Sequence, residues 1–229
     1  MLRTIVFAGA VLTASSAYSL TFSPSAIHDG GAFANQPALF PGFTHQSFSG
    51  GSGSFTADGI SLSSDLTINS SSVKLDGSIA VSPEGWYGFT SFYGQFTLTE
   101  ASYVTGFGTA SGDSSDANAS TKVSVQIGSI TEAQLQSGAI PTSLDLANNA
   151  LISIGNGDVS APRLLAPGTY LFELLIEAGD KISGGNTLSF TAEGSAGFSV
   201  IAAPDGGATV TLLGLGVLGL GALGRKLRK

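Results

Sequence analysis

Tyr170, Phe172, Leu174 and Ile176 are apolar at every second position, with Glu173 and Glu177 on the alternate positions. A helix would scatter these residues around its axis. A strand puts the four apolar side chains on one face and the acids on the other. The same period returns at Val123, Val125 and Ile127, which alternate with Lys122, Ser124 and Gln126. Phe96 and Leu98 alternate with Gln95, Thr97 and Thr99, and Phe198 and Val200 repeat the pattern near the end. Each such stretch predicts a strand with one buried face.

Turn chemistry separates these stretches. Asp58-Gly59, Asp76-Gly77, Pro83-Glu-Gly85, Asn156-Gly157-Asp158, Pro167-Gly168 and Gly184-Gly-Asn186 all carry the residues that tight turns favour. Many short strands with polar turns predict an all-β fold, a single jelly-roll-like β-sandwich over residues 20–202. One brief helix is expected where Ser129-Ile-Thr-Glu132 forms a capping box, with Gly138 closing it. From His28 to Ser54 the aromatics Phe33, Phe40, Phe43 and Phe48 are scattered among Gly, Ser and Pro, with Phe55 just beyond. That segment reads as an irregular wrap whose rings plug the sandwich edge.

Composition narrows the chemistry. Only 11% of the 229 residues are charged and 32 are glycine, as suits a turn-rich extracellular β protein. Five of the nine basic residues lie at the two chain ends. Between Leu20 and Pro204, Lys74, Lys122, Arg163 and Lys181 face fifteen acids, leaving that stretch at −11. Such a body repels phosphate backbones, so no nucleic-acid partner is expected. The absence of cysteine excludes disulfides, thiolate metal sites and Cys nucleophiles.

The two ends carry targeting signals. Arg3, the apolar run from Ile5 to Leu12, and the small residues of Thr13-Ala-Ser-Ser-Ala-Tyr-Ser19 have the three parts of a secretory signal peptide. Residues 1–19 are expected to be removed, after Ser19 or Ala17. At the other end, residues 203–229 begin with Ala203-Pro204-Asp205-Gly206-Gly207. No charge follows until Arg225, Lys226, Arg228 and Lys229. The 19 uncharged residues from Gly206 to Gly224 would reach about 28 Å as a helix, near the hydrocarbon thickness of a bilayer. The basic cluster would stay cytoplasmic and the body outside. Gly214, Gly216, Gly219, Gly221 and Gly224 each weaken that transmembrane helix by about 1 kcal/mol relative to Ala. A weak span behind a Pro-Asp-Gly-Gly break suits a membrane protease better than a permanent anchor.

This order of motif, Gly/Leu-rich span and basic end resembles the PEP-CTERM class of sorting signals, and most nearly its Val-Pro-Asp-Ser-Gly variant. Pro204, Asp205 and Gly207 match, while Ala203 replaces Val and Gly206 replaces Ser. The resemblance covers the last 27 residues or so. It implies an exosortase-type processing protease as partner and export linked to exopolysaccharide. An ordinary single-span anchor is the alternative. Leu164-Leu-Ala-Pro-Gly-Thr-Tyr170 is similar to the Leu-x-x-Gly-Thr-Tyr strand entry of many secreted sandwich modules.

No catalytic constellation stands out. His28, Asp29 and His45 could make a His-plus-carboxylate site but lack a metal-ligand spacing, and the two histidines read as surface or loop residues. Gly51-Ser-Gly53 lacks the flanks of a nucleophile elbow. Gly112-Asp-Ser-Ser-Asp-Ala-Asn118 reads as a solvated acidic turn, with calcium at Asp113, Asp116 and Asn118 the weaker alternative. No other cofactor is expected. Trp86 and Tyr87, with Phe89, Phe92 and Tyr93, form the densest aromatic cluster. Packing accounts for these rings, and a row of Trp86, Tyr87 and Tyr93 stacking on sugar rings is the functional alternative. The sequence therefore leads to a non-enzymatic, exported surface or matrix protein. A carbohydrate-binding module is the second reading and a glycan-active enzyme the third.

Overall fold

The computed structural model describes residues 21–22, 26–34, 43–49, 51–82, 85–113, 119–129, 150–180 and 189–203. These residues form thirteen strands and no helix. In chain order they are β1 (Thr21–Phe22), β2 (Ile27–Ala34), β3 (Phe43–Ser47), β4 (Ser52–Ala57) and β5 (Ile60–Asn69). There follow β6 (Ser72–Val81), β7 (Gly85–Leu98), β8 (Ser102–Asp113) and β9 (Ala119–Ser129). The last four are β10 (Ala150–Ile154), β11 (Arg163–Leu165), β12 (Gly168–Asp180) and β13 (Phe190–Ala202).

The strands make two antiparallel sheets. The first has the order β10-β9-β12-β7-β2-β3, with β1 also paired to β7; the second has the order β11-β8-β13-β6-β5-β4. The inward faces are those the alternation predicted. Val123, Val125, Ile127, Phe172, Leu174 and Ile176 are fully buried on the first sheet, and Val73, Leu75, Ile79 and Phe198 oppose them from the second. At the centre Phe172 lies 5.5 Å from Phe22, 5.0 Å from Phe92, 6.1 Å from Phe96 and 5.7 Å from Phe198, centroid to centroid. A cysteine-free sandwich is held by this kind of close-packed apolar contact between its sheets.

Some expected turns are turns. Asp58 and Gly59 both have positive φ, 54° and 74°, and join the paired residues Ala57 and Ile60. That is the geometry of a two-residue type I′ hairpin, which an Asp-Gly pair accommodates well. Gly157 turns likewise, with φ 74°. Asp76-Gly77 corrects the sequence reading, because both residues lie inside β6. Gly77 faces the core opposite its strand partner Gly194. A Cβ at Gly77 would come within 2.7 Å of Thr90 Cγ2, and one at Gly194 within 2.6 Å of Ile176 Cγ2. The two glycines form a dent that Ile176 fills from the facing sheet.

The stretch from His28 to Ser54 is a second correction. Much of it is regular ladder: β2 pairs with β7 and β3, and β4 pairs with β5. Its alternation is hidden because glycine stands where an apolar side chain would show the period. Phe48, itself buried, occupies the space above Gly30 and Gly53, and a Cβ on Gly53 would collide with its ring. The expected helix after Ser129, residues 1–19 and residues 204–229 lie outside the described residues. Among the described residues no helix is long and apolar enough to cross a membrane.

Tyr170 explains its own short motif. Its hydroxyl donates to the carbonyl of Ala166 at 2.8 Å, fastening the Pro167-Gly168 turn to the start of β12. Its ring stacks on Phe96 with centroids 5.6 Å apart.

Candidate functional site

The outward face of the first sheet gathers the aromatic and acidic residues that the alternation leaves away from the core. On β7 these are Tyr87, Phe89, Ser91 and Tyr93; the strand's other parity, with Phe92, Phe96 and Leu98, is buried. Register then builds rows across the sheet. Lys122, Glu177 and Phe89 form one, Ser124, Leu175, Ser91 and Asp29 the next, and Gln126, Glu173 and Tyr93 a third. Glu173 and Glu177 thus flank the tyrosines of the neighbouring strand, 90 residues away for the Tyr87–Glu177 pair.

Glu177 is the hub of this face. Tyr87 donates its hydroxyl hydrogen to Glu177 Oε2 at 2.5 Å, and Lys122 Nζ lies 3.0 Å from Oε1. Gly179 stands directly opposite Tyr87 and presents no side chain, which leaves the diagonal route to Glu177 open. Burial, and then the charge of Glu177, push the Tyr87 phenol far above its ordinary range, so it remains a donor. Tyr93 is also raised, by burial first and by Asp29 and Glu173 second.

Glu173 is raised for the same reasons. Burial is the larger cause and the charge of Glu177 adds to it, while Lys122 acts the other way. The folded protein therefore holds a proton on Glu173 at pH values where the unfolded chain has lost it. Stability is expected to fall as pH rises from the ordinary carboxylate value through the raised one. Glu173→Gln should flatten that fall, measured as the urea midpoint against pH. An unchanged slope would show that Glu173 does not control it.

A second polar cluster lies inside the sandwich. His28, expected as a surface or loop residue, sits in β2 and is 5% exposed, and the adjacent Asp29 contributes its backbone carbonyl. His28 Nε2 is 2.7 Å from Ser64 Oγ, the Ser64 and Thr90 hydroxyls are 2.8 Å apart, and Thr90 donates to the Asp29 carbonyl at 3.0 Å. The carbonyl can only accept, and Thr90 is its donor. Thr90 is also the donor toward Ser64 Oγ, so the two acceptors share its hydrogen, and which of Ser64 Oγ and His28 Nε2 donates to the other follows the imidazole tautomer. The chain links β2 and β7 of the first sheet to β5 of the second. A His–Ser contact of this length is what an activated nucleophile needs. Ser64 and Thr90 are fully buried, however, which keeps both hydroxyls away from the surface. The cluster is a clamp between sheets.

The remaining candidates are distributed as follows. Tyr87 and Tyr93 share the outward face. Trp86 belongs to β7 where the ladder with β2 shifts register between Phe33 and Ala34, and its side chain lies outside the described residues. Asp113 ends β8, while Asp116 and Asn118 lie outside the described residues, as does the Asp113 side chain. His45 is in β3, its side chain likewise undescribed. On the outer face of the second sheet, Asp65 and Asp76 are direct cross-strand partners beside Glu193, in a shallow depression of about 240 Å³. Lys74 Nζ is 2.9 Å from Asp76 and relieves part of that like-charge contact. Among the described residues no group of three or more His, Asp or Glu could hold a metal ion.

The sequence alone separated the two glutamates from the core face of β12 but did not join them to the tyrosines. The available signal was two acids spaced four apart in an otherwise apolar strand. Comparison of the chain with protein-family models, with curated proteins and with solved structures finds no match.

Proposed function

We propose that this chain is an exported jelly-roll protein, delivered through the membrane by its C-terminal segment and handled by an exosortase-type protease. It then resides in the surface or matrix polysaccharide as a non-enzymatic component. The jelly-roll reading is supported by strand order. β6 pairs with β13 and β7 with β12; β8 then joins β13, β9 joins β12, and β11 and β10 follow outside them. That is the nested pairing of two Greek keys wrapped into a double sheet.

The observation that carries the sorting reading is the junction. β13 ends at Ala202, and the Ala203 amide is bound by the Ala101 carbonyl at 2.9 Å. Pro204-Asp-Gly-Gly207, the uncharged span and the basic cluster follow with no spacer. β1 and β13 also meet the same end of the sandwich, so the domain hangs from one end of the chain path.

The second reading, a carbohydrate-binding module, is favoured by Tyr87 and Tyr93 sharing a face with two glutamates. Rings stack on the apolar faces of sugars, and carboxylates accept from sugar hydroxyls. The test is retention of the Leu20–Pro204 form on purified matrix polysaccharide, without the tail, so that membrane attachment cannot mimic binding. Trp86→Ala and Tyr93→Ala are each expected to weaken retention by about 1–3 kcal/mol, by analogy with base–aromatic stacking. Unchanged retention in both would remove this aromatic strand as the binding face. Turnover of any glycan would overturn the non-enzymatic reading.

A further inference from the structure

Five large apolar residues are exposed among those described: Ile68, Tyr103, Val159, Leu164 and Ile201. Single exposed apolar residues are ordinary on any protein. Here register assembles three of them. Leu164 on β11 is the direct partner of Tyr103 on β8, and Ile201 on β13 is its partner on the other side. The row lies on the outer face of the second sheet, with exposures of 54% for Leu164, 38% for Tyr103 and 63% for Ile201. At the ordinary strand spacing it covers about 10 Å.

Its place in the fold is the informative part. β8 starts, and β11 and β13 finish, at the end of the sandwich where the chain leaves for residues 204–229. Ile68, 48% exposed, is the penultimate residue of β5 at this same end, beside the turn whose Ser71 carbonyl binds the Val200 amide. Val159, next to Phe107, is the exception. From Ala203 to Gly206, where the uncharged span begins, there are three residue steps, or about 10 Å of extended chain. The described turns of this end carry few acids. In its turns among the described residues, at 70–71, 99–101, 166–167 and 203, Glu100 is the one carboxylate. The rest of the body is strongly acidic, and an anionic lipid surface would repel it.

We infer that the Leu164–Tyr103–Ile201 row is a bilayer-contacting platform that rests the ectodomain on the lipid interface beside its own membrane segment. The occupant is the interfacial zone of the bilayer. Tyrosine is favoured there because its ring is apolar and its hydroxyl wet, and flanking aliphatic side chains add apolar contact. The platform tilts the domain onto its second sheet and holds the Pro204–Gly207 junction at the membrane surface, within reach of a membrane-embedded protease. This inference rests on the proposal that residues 206–224 enter the membrane.

The absence of cysteine makes the test clean. Leu164→Cys, Ile201→Cys and, at the far end of β5, Ser61→Cys are placed singly in the full mature chain, tail included. Each is labelled with an environment-sensitive nitrobenzoxadiazole dye in phosphatidylcholine–phosphatidylglycerol vesicles, with circular dichroism as the check on fold. Labels at 164 and 201 should shift to the blue and be quenched by lipid-borne nitroxides, while the label at 61 should do neither. Protein that floats with the vesicles but keeps water-exposed labels at both 164 and 201 would overturn the platform alone. A blue shift without nitroxide quenching would mean that another protein copy covers the row, which also overturns it. Failure to float at all would remove the membrane segment and the platform together. Using two sites keeps the test decisive if one substitution disturbs the fold.

Discussion

Phe172→Ala is expected to destabilise the domain by about 3–5 kcal/mol, a large part of the roughly 5–15 kcal/mol that holds an ordinary domain folded. Phe172 is fully buried and meets Phe22, Phe92, Phe96 and Phe198, so its loss opens a cavity bounded by both sheets. With no disulfide to hold the sheets together, relaxation into that cavity is the only compensation. The measurement is the urea midpoint of the Leu20–Pro204 form at constant slope. A loss below about 1 kcal/mol would mean that the rings repack and that this cluster is not the centre of stability. Glu193→Gln, on the solvent side of the same sandwich, should change stability by no more than about 0.5 kcal/mol and serves as the contrast.

In a host that carries the sorting protease, the basic end of the chain should disappear from the mature protein. Mass spectrometry of envelope protein is expected to recover peptides from the sandwich and none containing Arg225 to Lys229. The physical basis is a span interrupted by five glycines, behind a Pro-Asp-Gly-Gly break that starts one residue after a strand-bonded amide. As a helix, a span so weakened would unwind readily where a protease must bind extended backbone. Recovery of the terminal peptide from most of the mature pool would favour a plain anchor. A glycan-retention defect could still be found in that case, so the two readings fail separately.

Some of this molecule was legible before any fold was known. The alternation at 122–127 and 170–177 named the buried faces of β9 and β12, because the pleat is a property of a single strand. Asp58-Gly59 announced its hairpin, since two positive φ values are a local demand. Asp76-Gly77 carried the same letters and is strand interior; nothing local distinguishes a glycine that turns the chain from one that makes room for Ile176. The β2 and β4 ladders were hidden for the related reason that Phe48 fills the volume which their own side chains would otherwise have announced.

What the chain determined by itself is strand parity, the cysteine-free acidic body and the order of apolar and basic segments at its ends. These are read from neighbours in sequence, whose geometry the backbone sets. Tertiary structure decided which strands meet. It brought Tyr87 to Glu177, buried His28 against Ser64, and aligned positions 164, 103 and 201 into one exposed row. A period of two says which way a side chain points but not which strand will lie beside it. That choice depends on packing between residues tens of positions apart, where volumes and hydrogen bonds are matched only once both sheets have formed.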